Sequence, residues 1–271
     1  MMNKYEMTNE TRETATGQTL YRIRALRNIY GNSKMVQKGE LGGFVSHHDN
    51  LSQIGTCWVA DEAFVADDAR IENDALIHES AKIEGKSRIT DNVIIGGDAM
   101  VFESTVGGLT KITDKARLGN STVNGDVNLE GRVYIMYSRI HGKVQVTDRV
   151  KLVETAIYGN NILLLGEANI KTTVIGSVTK ETKQVVISDK VTIVNSGIYG
   201  EGIVINGDAQ LISGVRIDGN LVQISDFSTL EGMIEIGSKV NMKEFARVKN
   251  MSNTIFTIDN ETLSGDVSIE R

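Results

Sequence analysis

The side chains in this sequence best suited to proton transfer or nucleophilic attack are four histidines, His47, His48, His78 and His141, and the single cysteine, Cys57. An imidazole titrates near neutral pH and serves as a general base when a carboxylate orients it. His47 and His48 directly precede Asp49, a pairing able to orient a ring, although a polar loop with solvated histidines has the same composition. One cysteine excludes an intramolecular disulfide and a cysteine-rich zinc site. Metal ligation needs histidines and carboxylates to converge, whereas the many aspartates fall at turns, where local backbone hydrogen bonding accounts for them. No phosphate-binding loop or dinucleotide fingerprint is present, and glycine pairs such as Gly96-Gly97 sit inside repeated segments. The expectation is no metal and no cofactor.

The elements that position these residues follow from composition and spacing. Of 271 residues, 40% are hydrophobic but only 5% aromatic, which suits a narrow aliphatic core. There are 27 glycines and no proline, the mark of many tight turns in a chain whose backbone N–H groups are nearly all needed. The net charge of -6 argues against a general nucleic-acid binder, which relies on Lys and Arg at phosphates. No stretch has the apolar core of a signal peptide or the roughly 18 apolar residues of a membrane span, so a soluble cytoplasmic protein with no membrane partner is expected.

From Val59 an aliphatic residue recurs at every sixth position, through Val65, Ile71, Ile77, Ile83, Ile89 and Ile95 to Val101. Four residues after each sits a small one, as at Ala63, Ala69, Ala75 and Ala81, with Asp, Asn, Glu and Gly between. A period of six fits neither an amphipathic helix nor one alternating strand, so it reflects a supersecondary repeat. Beyond Val101 the spacing becomes five, six, six, and three hexads close a coil of 17 or 18 residues. Gly108, Gly125, Gly142 and Gly159 fall at one corner.

Three inward columns result. The first is Val59, Ile77, Ile95, Ile112, Leu129, Val146, Leu163. The second is Val65, Ile83, Val101, Leu118, Ile135, Leu152, Ile170, and the third Ile71, Ile89, Val106, Val123, Ile140, Ile157, Val174. An extra residue between Leu163 and Ile170 reads as a bulge, and Ser177 to Gln184 as a loop-out. The fold class expected is all-β, a parallel β-helix of hexapeptide repeats with capped ends. Residues 1–20 are expected to be a flexible segment, 21–58 an N-terminal cap, 59–250 the β-helix and 251–271 a C-terminal cap, with Ile255 to Ile258 and Val267 to Ile269 as a closing strand pair.

The run YRIRALRNI, followed by GELGGFV, DNLSQIG and CWVADEA leading into the hexads, resembles the YdcK-like hexapeptide-repeat proteins and related phage or prophage proteins. The likeness is good over residues 21–105 and only architectural afterwards. It implies a left-handed single-stranded β-helix, related in fold to trimeric hexapeptide acyltransferases, and a family whose members are called transferases without a demonstrated activity. In those acyltransferases a histidine is the general base beside an acyl thioester donor. Here His78 follows first-column Ile77 and His141 follows third-column Ile140, so the spacing places them on different faces, and no Pro-containing C-terminal segment follows.

The residue before each inward aliphatic points outward. Trp58, Leu76 and Ile94 precede the first column, as do Ile162, Val186 and Val204, and such stripes need cover from the chain's own termini or from a second copy. Between Asp61 and Glu103 eleven acids stand against four bases, whereas between Lys111 and Glu154 eight bases stand against five acids. Asp61, Asp67, Asp68, Glu72 and Asp74 thus form a candidate binding band, with a solvated acidic face as the plainer alternative. The sequence points to a non-catalytic binding or scaffold protein, phage- or prophage-encoded, homo-oligomeric as a trimer or dimer, and acting on a host protein. The rival is a hexapeptide-type acyltransferase with one of the four histidines as base.

Overall fold

The computed structural model describes residues 3–136, 139–154, 156–158, 161–172, 174–176, 184–195, 197–199, 201–212, 214 and 216–271. Among them nearly all regular structure is β, in strands of two to four residues beyond the N-terminal sheet. The chain divides into two compact units, Met1–Gly131 and Arg132–Arg271. Each is a left-handed parallel β-solenoid. The right-handed crossover rule rests on the twist of long strands, and strands this short carry little of it.

In the first unit the three columns are in register. On the first face Val59, Ile77, Ile95, Ile112 and Leu129 are successive partners. Val45, Val65, Ile83, Val101 and Leu118 follow one another on the second face, and Ile71, Ile89, Val106 and Val123 on the third. All of these side chains are buried. The solenoid begins earlier than expected, since Leu41–Val45 already pairs in parallel with Phe64–Val65.

The N-terminal residues are not the flexible segment anticipated for 1–20. Tyr5–Glu13 pairs antiparallel with Thr19–Ala25, which pairs antiparallel with Leu41–Val45 and so covers an open sheet edge. The hairpin is anchored by polar groups as well as by packing. The Tyr5 hydroxyl donates to the carbonyls of His48 or Leu51 (2.9 and 3.0 Å), and the buried Lys4 ammonium donates to the Cys57 carbonyl at 2.9 Å.

In the second unit the first face runs Val146, Leu164, Ile187, Ile205, Ile224, Met242 and Leu263. Leu164, not Leu163, occupies the column. From Val144 to Ile224 each first-face strand turns two residues inward, as with Ile162 and Leu164, and leaves the middle one outward. Ile162, expected outside, is therefore buried, and the irregularity is an 18-residue step from Val146 to Leu164 rather than a bulge. On the third face Ile175 is buried while Val174 is 38% exposed, because Val174 takes the outward bridging position. Residues 255–258 and 267–269 do not pair with each other as the closing strand pair expected. Phe256–Ile258, Thr262–Leu263 and Ser268–Glu270 pair in parallel with the preceding coil and add one more turn to the solenoid. The Leu152 side chain, Gly159 and residues 177–183 of the expected loop lie outside the described residues.

The corners explain the crowding of acids. Two residues after each first-face inward position the backbone takes a left-handed φ, at Asp61, Glu79, Gly97, Asp114 and Gly131 in the first unit. In the second unit the same corner holds Asp148, Gly166, Asp189, Gly207, Asp226, Glu244 and Gly265. The carboxylate at one such position accepts the N–H of the next coil's. Asp61 Oδ2 takes Glu79 N at 2.9 Å, Asp114 takes Gly131 N at 3.0 Å, Asp148 takes Gly166 N at 3.1 Å and Asp189 takes Gly207 N at 3.1 Å. Asp226 to Glu244 and Glu244 to Gly265 continue the series at 2.8 and 2.6 Å. Gly enters this backbone region freely and Asp tolerates it, and all of these corners but Glu79 and Glu244 carry one or the other.

Candidate functional site

The histidines are tied up in separate places. His47 Nε2 is 2.7 Å from the Asp67 carbonyl, at the corner after the second face. Beside it the buried Asn50 accepts from the backbone N–H groups of Ser46 and His47 and donates to the carbonyls of Asp67 and Ala69. His48 uses its carbonyl to hold Tyr5, and its ring centroid lies 6.2 Å from that of Tyr5. His78 lies at the corner after the first face, with Nδ1 3.9 Å from Glu79 Oε2, a carboxylate that already accepts the Gly97 N–H. Its ring fills the space over Gly96, where a Cβ would come within 2.4 Å of Nε2. His141 belongs to the second unit and stacks on Tyr158, centroids 5.5 Å apart.

His47 and Asp49 join Asp68, Arg70, Lys86, Ser87 and Arg88 around an open depression of about 470 Å³ in the first unit. Charges of both signs line it, and Arg88 is paired to Glu72 at 2.8 Å. Most of the acidic band expected to meet a partner is thus occupied in holding coils. Asp61 and Asp67 cap backbone N–H groups of the following coil, Glu72 holds Arg88, and Asp74 accepts the Thr56 hydroxyl at 2.6 Å. Only Asp68 remains in the depression.

The stripe Trp58, Leu76, Ile94 exists in register. Trp58 is closed inside the chain at 1% exposure, its ring lying so near Gly42 that a Cβ there would come within 2.7 Å of Cζ2. Leu76 is also buried and Ile94 half-buried. A second stripe, Leu163, Val186 and Val204, lies on three consecutive coils of the second unit and is half-buried.

A pair that the sequence did not bring together is Lys4 and Cys57. The ammonium lies 3.1 Å from the thiol sulfur, and both side chains are fully buried. Burial pushes the Lys4 ammonium below its ordinary pKa and the Cys57 thiol above its own, each opposed in part by the other. The pair fastens the N-terminal hairpin to the first coil.

A recess suited to a ligand lies on the second face of the second unit. Gln210, Thr229, Arg247 and Ser268 are successive partners on four coils and form the floor of a groove of about 750 Å³. One rim is the row that follows the left-handed corner, with Lys190, Asp208 and Phe227. The other holds Glu231, Lys249 and Glu270. Phe227 stacks on Phe245 of the next coil, centroids 5.3 Å apart and planes 5° apart, and both rings are about half exposed (53% and 48%). Lys249 is paired with Glu231 at 3.6 Å, whereas Arg247 has no charged partner among the described residues. The aromatic stack was legible in principle, because Phe227 and Phe245 each follow a corner acid and are one coil apart.

No protein-family model and no curated protein matches the chain. No described helix is long and apolar enough to cross a membrane.

Proposed function

We propose that this chain is a non-catalytic β-helical binding protein whose second unit holds an extended ligand in the groove over Gln210, Thr229, Arg247 and Ser268. The observation that carries this is the alignment of four outward polar side chains on consecutive coils, about 4.8 Å apart, between a mixed aromatic rim and a charged one. A surface of that shape suits a chain-like molecule better than the face of a globular protein. The engagement of His47, His78 and His141 in separate structural contacts supports binding over acyl transfer. The resemblance to YdcK-like and phage proteins supports a cytoplasmic, phage- or prophage-encoded protein with a host-derived partner. Self-association, the other expectation, is assigned to the half-buried stripe Leu163, Val186 and Val204, since Trp58 is closed within the chain.

The test uses wild-type protein and a Thr229→Trp variant, which fills the groove, immobilised against host lysate separated into protein, glycan and nucleic-acid fractions. Material retained by the wild type and lost by Thr229→Trp is the expected result. Capture indifferent to Thr229→Trp overturns the assignment, as does saturable binding of acetyl-coenzyme A abolished by His78→Ala or His141→Ala.

A further inference from the structure

We propose that the groove ligand is an oligosaccharide containing sugar acids, bound through its carboxylates at Arg247 and through a pyranose face at Phe227. This rests on the groove being the binding site. Three features narrow the chemistry. Arg247 is exposed on the groove floor with no charged partner among the described residues, and its neighbours in the ladder are Thr229 and Ser268. A guanidinium offers a planar bidentate fork that matches a carboxylate, and flanking hydroxyls extend the hydrogen bonding to either side.

The rim supplies the second feature. Half-exposed phenyl rings are costly to leave in water, and Phe227 is fixed by its stack on Phe245 rather than free to fold away. An immobilised ring beside polar side chains suits a ligand with both C–H faces and hydroxyl edges, which a sugar has and a bare anion lacks. The third feature is charge balance. The groove carries Lys190, Arg247 and Lys249 against Asp208, Glu231 and Glu270, so it has no net positive field to attract a polyanion such as nucleic acid. Isolated carboxylates spaced along a hydroxylated chain fit a single free guanidinium surrounded by neutral and paired groups. The repeat of the floor, one polar side chain per coil, also matches a ligand that repeats unit by unit.

The experiment is titration calorimetry of the whole chain with a hyaluronan hexasaccharide, a xylo-oligosaccharide bearing a single glucuronate and a singly sialylated hexasaccharide, alongside neutral cellohexaose and inorganic polyphosphate. At least one acidic oligosaccharide is expected to bind with saturation, and cellohexaose at least about tenfold more weakly. Arg247→Ala should weaken the acidic ligand by about tenfold to a hundredfold, the range of charge-assisted hydrogen bonds, with Arg247→Lys intermediate because it loses the fork. Phe227→Ala should weaken acidic and neutral sugars alike. Both residues are exposed, so circular dichroism and the thermal midpoint should stay at wild-type values. Failure of all three acidic oligosaccharides to bind overturns the proposal, and so does binding unchanged in Arg247→Ala. Polyphosphate binding as tightly as the sugars and indifferent to Phe227→Ala points to a bare anion site and overturns it too. Where these fail but lysate capture is still lost in Thr229→Trp, the groove stands as the binding site and only the ligand class is removed.

Discussion

Substituting Gly166 by alanine measures how tightly the left-handed corner holds successive coils. Gly166 has φ +77°, and a Cβ there would come within 2.7 Å of both the backbone N and O of Asp189 and 2.9 Å of its Cα. Those atoms belong to the next coil and cannot retreat as a side chain can. The left-handed conformation alone costs an alanine about 1–2 kcal/mol. Relieving the clash requires the coils to part at this corner. That movement strains three hydrogen bonds: Gly166 N–H to Asp148 Oδ2, Arg149 N–H to the Gly166 carbonyl, and Glu167 N–H to the Asp189 carbonyl. At about 1 kcal/mol each, and with the conformational cost added, the total reaches roughly 4–5 kcal/mol. Gly202 is the control. It has nearly the same φ, +71°, but the nearest atom to its Cβ position is a Leu221 side-chain carbon at 3.0 Å, with the Leu221 backbone N at 3.6 Å. Gly202→Ala should therefore cost only the conformational part, about 1–2 kcal/mol. Urea unfolding of both variants supplies the comparison, and hydrogen exchange at the amides of Arg149, Glu167 and Gly207 locates the loss. Equal destabilisation by the two substitutions would refute the claim that backbone contact across the corner, and not glycine's φ alone, fixes the residue type.

Ile135 is fully buried in the second column, and Ile135→Asp places a charge among aliphatic side chains, costing several kcal/mol or forcing protonation; a soluble variant with an unchanged thermal midpoint contradicts that register. Cys57, pushed above its ordinary pKa of 9.0, keeps its proton in the folded chain where the unfolded chain releases it. Its contribution is complete below pH 9.0 and declines as pH rises, so Cys57→Ala should flatten the fall in unfolding midpoint above that pH. Lys4, held below its ordinary 10.5, acts with the opposite sign: the folded chain sheds this proton first, so stability gains as pH rises toward 10.5, and Lys4→Met should remove the gain. Val186→Glu introduces a charge into the second-unit stripe, and light scattering should show the wild-type oligomer reduced to monomer; a monomeric wild type eliminates that interface.

The solenoid was legible because one inward aliphatic per hexad repeats with no tolerance for a change of face, as the unbroken pairing from Val59 to Leu129 shows. The register was misjudged where a strand turns two residues inward. Ile162, Leu163 and Leu164 are all aliphatic, so the sequence offers no polarity contrast to say which one faces water. The antiparallel hairpin at Tyr5–Glu13 was missed because its residues are mostly polar and pair through backbone and ion pairs, such as Glu10 with Arg22 at 3.7 Å. The acidic band was visible but its use was not, since an acid that caps the next coil's amide is indistinguishable by composition from one facing a partner. The groove was illegible for a related reason. Thr229, Arg247 and Ser268 are ordinary surface residues singly, and only the coil period sets them side by side.

The corner hydrogen bonds have a direction. Within each unit the acceptor at one coil is matched by a donor in the following coil, 18 residues later at Asp61, Asp67 and Asp189. A newly made coil therefore offers its carboxylate before its partner amide has been synthesised. Each finished turn is a template awaiting its successor, so the structure suits assembly in the order of translation, one coil at a time from the N-terminal hairpin onward.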